Sequence, residues 1–121
     1  MKHFLYKLNP PRSTFHVDMT PAEGKLMLDH VTYWNGLMDK GQVIAFGPVA
    51  DPKSPYAIAV MQLEDSADAN MLVAHDPTLK ADVGFTFAIY PMPDLALRAA
   101  SCRRMFERLR AKGEVDYSQY R

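Results

Sequence analysis

Residues 20–41, TPAEGKLMLDHVTYWNGLMDKG, predict one long helix with a marked beginning and end. Thr20 is a good N-cap, Pro21 suits the first helical position, and Glu23 completes a capping box. Gly41 is typical of the position just beyond a helix end. The apolar residues recur at the spacing of one helix face: Leu26, Met27, Val31, Trp34, Leu37 and Met38.

Segments on both sides of this helix have the composition of strands. They are rich in aromatic and aliphatic residues and are bounded by proline, glycine or asparagine. These segments are residues 3–8, 42–46, 56–63 and 85–90. A short helix between the last two, capped by Asp65 or Ser66 and ended by Asp76-Pro77, completes the order β-α-β-β-α-β. That order predicts an α+β, ferredoxin-like fold with an antiparallel sheet.

Two further segments flank this arrangement. Residues 9–19 are predicted to form a loop. Asp94 is predicted to cap a third helix that ends at Gly113, and this helix with its tail belongs to the same domain as residues 1–93. The helix carries a net charge of +5, with six basic residues against Glu107. A solvated face, or docking on the acidic remainder of the chain, explains this charge better than nucleic acid, because no aromatic residues are interleaved.

Composition sets the broad class of protein. The 121 residues are 48% hydrophobic and 23% charged, as in one globular domain, and the 14 basic and 14 acidic residues cancel. The single cysteine, Cys102, excludes an internal disulfide and a cysteine-based zinc site. No run approaches the roughly 20 apolar residues of a membrane span. We therefore expect a cytoplasmic protein that does not enter a membrane.

The two strands after the long helix are apolar on both faces. In QVIAF (residues 42–46) and YAIAVMQL (residues 56–63) nearly all positions of both parities are apolar. A strand of this kind needs cover on both sides of its sheet. Helices can cover one face only, so we expect a second copy of the chain to cover the other in a homodimer.

His30 is the first candidate for chemistry. The chain has no glycine-rich nucleotide loop, no G-x-S-x-G elbow and no H-E-x-x-H, and its four histidines show no metal-binding spacing. His30 lies in the middle of the apolar stripe of the long helix, so its ring is predicted to point at the sheet. A half-buried imidazole suits general acid–base catalysis. The alternative is a core histidine held by one hydrogen bond.

The other candidates each have two interpretations. Asp76 is the natural carboxylate partner of His30, or it caps a helical turn that begins at Pro77. Arg12 could bind an anionic group of a substrate by a forked contact, or it is a solvated loop arginine. Trp34 lies one turn beyond His30 and either packs in the core or lines a pocket. Phe15 and Tyr6 complete the set of predicted substrate-binding residues.

These residues together resemble the YCII-related family of small bacterial proteins. The likeness covers residues 1–93 and includes the inward His30, the pattern G-x-V-x-x-x-G-P at residues 41–48, and Asp76-Pro77 before the last strand. The resemblance implies a dimeric α+β barrel and an active-site dyad of His30 and Asp76. One member of the family removes chloride from a chlorinated hydroxyhydroquinone. The long loop at residues 10–19 and the basic helix after residue 94 depart from the usual pattern.

We therefore expect an enzyme that acts without a cofactor or metal on a small cyclic or phenolic molecule. His30 would move a proton in an elimination (as in a dehydrochlorinase) or an isomerisation, and Asp76 would set its tautomer. Arg12 would bind an anionic group and Trp34 would wall the pocket. Two alternatives remain open: a non-catalytic homodimeric ligand-binding or interaction module, and an oxygenase of a related barrel fold. Fold resemblance is only an associational argument for any of them.

Overall fold

The computed structural model describes residues 1–98, in which four strands form one antiparallel sheet. Along the chain the elements are β1 (Lys2–Asn9), α1 (Phe15–Asp18), α2 (Pro21–Asp39), β2 (Val43–Val49), β3 (Tyr56–Leu63), α3 (Ala69–Ala74), α4 (Pro77–Lys80) and β4 (Thr86–Pro91). The strand order is β2-β3-β1-β4, and all three neighbouring pairs are antiparallel. The predicted α+β, ferredoxin-like fold is confirmed.

Helix α2 begins and ends where its local signals predict. The Thr20 hydroxyl accepts from the backbone N–H of Glu23, and the Glu23 carboxylate accepts from the backbone N–H of Thr20, which is a capping box. At the other end Gly41 has φ +77°, and its N–H donates to the carbonyl of Met38 at 2.9 Å. The next N–H, of Gln42, reaches Leu37 O at 3.0 Å, which completes a Schellman motif. Contacts between residues close in sequence therefore define both ends of α2.

The core lies between α2 and one face of the sheet. Alternate residues of β1 and β3, including Tyr6, Leu8 and Met61, are buried on this face against Trp34 and Leu37 of α2. The opposite parity of the same strands faces away from that core. It includes the partly exposed apolar residues Leu5, Ile58 and Val60.

The start of the short helix after β3 differs from the prediction. Helix α3 begins at Ala69, and its N-cap is Asp68, whose carboxylate accepts from Asn70 N–H at 2.9 Å. Neither predicted cap, Asp65 or Ser66, has this role, and Asp65 instead pairs with the N-terminal amino group of Met1 at 3.1 Å. Several residues with capping side chains stand close together here, so composition alone selects the wrong one.

Two other boundaries also differ from the prediction. The loop at residues 9–19 contains one helical turn, α1, because Phe15 is buried and anchors it. Strand β2 continues through Gly47-Pro48 to Val49, where the sequence predicts a stop. β2 is an edge strand, and an edge tolerates a proline because the missing N–H need not pair.

Residues 1–91 form one compact unit. From residue 99 onward the predicted C-terminal helix lies outside the described residues. Asp94 has φ +56°, and residues 95–98 are not helical, so Asp94 is not the N-cap that the sequence predicts. Within residues 1–98 no helix has the length and apolar character needed to cross a bilayer.

Candidate active site

The site is built on the fully buried carboxylate of Asp76. Asp76 is the N-cap of α4, and its Oδ1 accepts from the backbone N–H of Thr78 at 2.9 Å and from the Thr78 hydroxyl at 2.7 Å. Pro77 follows at the first helical position. Asp76 therefore does cap a helical turn, and this role holds the carboxylate in a fixed orientation.

The same carboxylate also contacts His30, so its two predicted roles coexist. His30 Nδ1 lies 2.8 Å from Oδ2 and 3.0 Å from Oδ1, across a separation of 46 residues. The indole N–H of Trp34 donates to Oδ2 at 2.7 Å, and the Tyr6 hydroxyl donates to the same oxygen at 3.0 Å. Helix α2, strand β1 and the turn before α4 thus meet at one buried negative charge.

These hydrogen bonds keep Asp76 ionised. Burial alone would raise its pKa, but the bonds from His30, Trp34 and Thr78 stabilise the charged form and hold the pKa below its ordinary value. Burial and the nearby Asp76 charge raise the pKa of Tyr6, which therefore remains a neutral phenol and a donor. The carboxylate can only accept, so the adjacent Nδ1 of His30 carries a hydrogen.

The second ring nitrogen of His30, Nε2, differs from Nδ1 in its hydrogen bonding. No group of residues 1–98 hydrogen-bonds Nε2, while every fully buried side-chain nitrogen or oxygen in that part of the chain has a partner. His30 lines a cavity of about 200 Å³ between α2 and strands β2 and β3. With Nδ1 protonated, Nε2 carries the lone pair, so the ring can accept a proton there.

Aromatic rings pack closely around Trp34 at the site. The rings of Tyr6 and Trp34 stack with centroids 4.8 Å apart, and Tyr33 meets the Trp34 ring edge-on at 5.8 Å. Trp34 is fully buried and lines the cavity beside His30. Trp34 therefore both packs in the core and lines the cavity, the two roles that the sequence offered as alternatives.

The YCII-related domain matches residues 1–93 of the chain. This protein belongs to the YCII-related family. Among curated proteins no significant match is found. One similar solved structure is a formyltetrahydrofolate deformylase from Pseudomonas putida KT2440, with 14% sequence identity and a TM-score of 0.41. The alignment covers 78% of this chain and 30% of the deformylase chain, so the chain spans less than a third of that enzyme's length.

Arg12 of this YCII-related protein lies away from the cavity of His30. Its guanidinium donates to both oxygens of Glu23 at 2.8 Å and to Asp18 Oδ1 at 2.8 Å. Hydrogen bonds from Arg12 and from the backbone of Thr20 lower the pKa of Glu23 to about 2. The forked contact that the sequence suggests for a substrate is thus made to the protein itself.

Phe15 is also separate from the His30 cavity. It is buried in α1, lies 5.3 Å from the Arg12 guanidinium and meets the Phe85 ring edge-on at 5.4 Å. Of the six predicted site residues, the structure brings His30, Asp76, Trp34 and Tyr6 together. Arg12 and Phe15 form a second group at the loop before α2.

One member of the YCII-related site was not predicted from the sequence. Thr78 is fully buried and binds Asp76 through both its backbone and its hydroxyl. The signal for it is the order Asp-Pro-Thr, since a capping aspartate accepts from the residue two positions later. Within residues 1–98 no group of three or more histidine, cysteine, aspartate or glutamate residues could hold a metal ion.

Proposed function

We propose that this YCII-related protein is a cytoplasmic enzyme that transfers a proton on a small cyclic or phenolic molecule, with His30 as its acid–base group. The observation that carries this proposal is the pairing of His30 Nδ1 with the buried Asp76 carboxylate beside a cavity. A histidine placed only for packing needs neither an ionised buried partner nor a second ring nitrogen that has no hydrogen-bond partner within residues 1–98.

The proposed step begins with Nε2 of His30 as the base. In an elimination, Nε2 takes the proton from the carbon next to the one that bears the leaving group. The electron pair of that C–H bond becomes the new double bond, and the leaving group departs with its own bonding pair as an anion. In an isomerisation the same nitrogen returns the proton to a different atom of the substrate.

Asp76 supports this step without taking the proton. Its charge stabilises the imidazolium that forms at His30, and its fixed position keeps Nδ1 as the inner nitrogen. The donors Trp34 and Tyr6 keep the carboxylate ionised throughout. The chemistry requires proton transfer alone, so no cofactor is part of the proposal.

Proton exchange tests the proposal without knowledge of the full reaction. A panel of phenols and cyclic ketones is incubated with the protein in D₂O, and deuterium incorporation at carbon is followed by NMR. We expect exchange that His30→Gln and Asp76→Asn both abolish. His75→Gln is the matched control, because His75 is exposed and does not line the cavity of His30. Exchange that persists in His30→Gln would contradict the proposal.

A non-catalytic ligand-binding module is the second candidate, and the apolar cavity favours it. On that hypothesis the His30–Asp76 pair only stabilises the fold. Panel compounds would then bind, as seen in chemical shifts of the cavity residues, without any carbon-bound proton exchanging faster than it does in buffer.

We further propose that the protein is a homodimer in which a second copy covers the outer sheet face. The support is the partly exposed apolar parity that includes Leu5, Ile58 and Val60. Light scattering at micromolar concentration should give twice the chain mass, and Val60→Lys should reduce it to one chain mass. A monomeric native protein would contradict this proposal.

A further inference from the structure

A second cavity lies directly beside the one that His30 lines. It also measures about 200 Å³, and Met27, Pro48 and Ala57 line both cavities. Its other walls come from β1, the loop before α2, the start of β3 and the residue just before β4. They include Leu8, Phe15, Met19, Tyr56 and Phe85. The two cavities therefore meet at a short boundary of three apolar residues.

Neither cavity is built for a charged ligand. No aspartate, glutamate, lysine or arginine lines either of them, and the titratable lining side chains are two histidines and two tyrosines. Arg12, the nearest candidate for an anion site, already has both Asp18 and Glu23 as partners. A buried charge without a partner is costly, so these walls select a neutral molecule.

The walls of the second cavity are formed in advance. Phe15 is 4% exposed and packs against Phe85, while the Arg12 contacts fasten the loop to the first turn of α2. Met19 is 38% exposed and stands at the rim. An apolar cavity of ~150 Å³ can hold a benzene molecule, so each of these cavities has room for one ring or a short chain.

We propose that the second cavity is a subsite for an apolar chain carried by a neutral substrate. The polar end of the substrate lies at His30 Nε2, and the chain passes the boundary at Met27, Pro48 and Ala57 into the second cavity. The position of the polar end rests on the proposed function, whereas the chain subsite rests on the second cavity itself.

Binding of a series of probes tests the subsite without turnover. The probes are phenol and its 4-methyl, 4-butyl and 4-hexyl derivatives, whose hydroxyl can donate to Nε2. If the chain enters the second cavity, Kd should fall roughly fourfold for each buried methylene until the cavity is full. A Kd that does not depend on chain length would overturn the proposal.

Met19→Trp is the informative variant, because it fills the cavity from a partly exposed position. It should leave the Kd of phenol unchanged and remove the gain from longer chains. Leu28→Trp is the matched control, since Leu28 is 70% exposed and lines neither cavity, and it should behave as the native protein. A chain-length gain that survives in Met19→Trp would overturn the proposal.

One further measurement does not depend on any variant folding. In the native protein, intermolecular NOEs should join the terminal methyl of 4-hexylphenol to the rings of Phe15 and Phe85. NOEs only to residues of the His30 cavity would overturn the subsite. Absence of proton exchange in the native protein is a separate result: it would contradict the proposed function, while the chain-length series would still decide the subsite.

Discussion

Asp76 and Arg12 are both charged residues with several hydrogen-bond partners, but they differ in burial and in where those partners lie in the sequence. Asp76 is fully buried, and its donors come from three separate parts of the fold. The side chain of Arg12 is 36% exposed and binds two carboxylates close by in sequence. A buried charge is costly unless every donor is in place, whereas an exposed pair is screened by water. The difference shows that hydrogen bonds to a charged side chain point to a functional site only where that charge is buried.

Asp76→Asn should lower the free energy of unfolding more than any other substitution considered below. The amide removes the charge that four side-chain donors share, so we expect a loss of about 3 kcal/mol in the free energy of unfolding, measured in urea. Asp68→Asn is the control, because Asp68 caps α3 from an exposed position and asparagine caps equally well. If the two variants lose the same stability, capping alone explains Asp76.

Tyr6→Phe should have the next largest effect. It removes one hydrogen bond to a charged acceptor and retains the ring that stacks on Trp34. We expect a loss of about 1.5 kcal/mol in the free energy of unfolding. Tyr56→Phe, at a partly exposed tyrosine whose hydroxyl makes no hydrogen bond to residues 1–98, is the control. An unchanged free energy in Tyr6→Phe would show that the hydroxyl adds nothing to the network.

Acid should lower the stability that comes from Asp76 and also the stability that comes from Glu23, the partner of Arg12. The pKa values of Asp76 and Glu23 are lower in the folded protein than their ordinary values, so below about pH 5 the unfolded chain binds more protons. Their stabilisation is complete above that pH and is lost as pH falls through the folded pKa values. Asp76→Asn should flatten the fall at any ionic strength, and Glu23→Gln should flatten it mainly at low salt. Salt dependence of equal size at both residues would contradict the contrast in burial.

Arg12→Lys should have the smallest effect. Lysine keeps the charge and loses the fork, and an exposed contact of this kind contributes little to folding. We expect the urea midpoint and the proton-exchange rate with unsubstituted phenol to stay near those of the native protein. A large fall in exchange would mean that Arg12 contacts the substrate after all, as its sequence position suggests.

The same contrast explains how much could be predicted from the sequence. The ends of α2 and the succession of strands along the chain depend on signals a few residues apart, such as Thr20 with Glu23, and these were confirmed. The contact of Asp76 with His30 spans 46 residues, so spacing could not establish it; the residues left it as one of two alternatives, and the family resemblance implied the dyad. Arg12 was expected to bind a substrate anion or to be a solvated loop residue, and its actual partners, Asp18 and Glu23, depend on how the loop folds back on α2. The predicted cap of α3 was wrong because several neighbouring residues have side chains that can cap a helix.

Nitrogen NMR of the His30 ring tests the central claim most directly. The measurement is made on the native protein and on Asp76→Asn at about pH 8, above the ordinary range of imidazole titration. The account predicts that Nδ1 carries the proton and Nε2 the lone pair in the native protein, and that Asp76→Asn weakens this preference. A native ring with its proton on Nε2 would contradict the account, because His30 would then offer no base to the cavity.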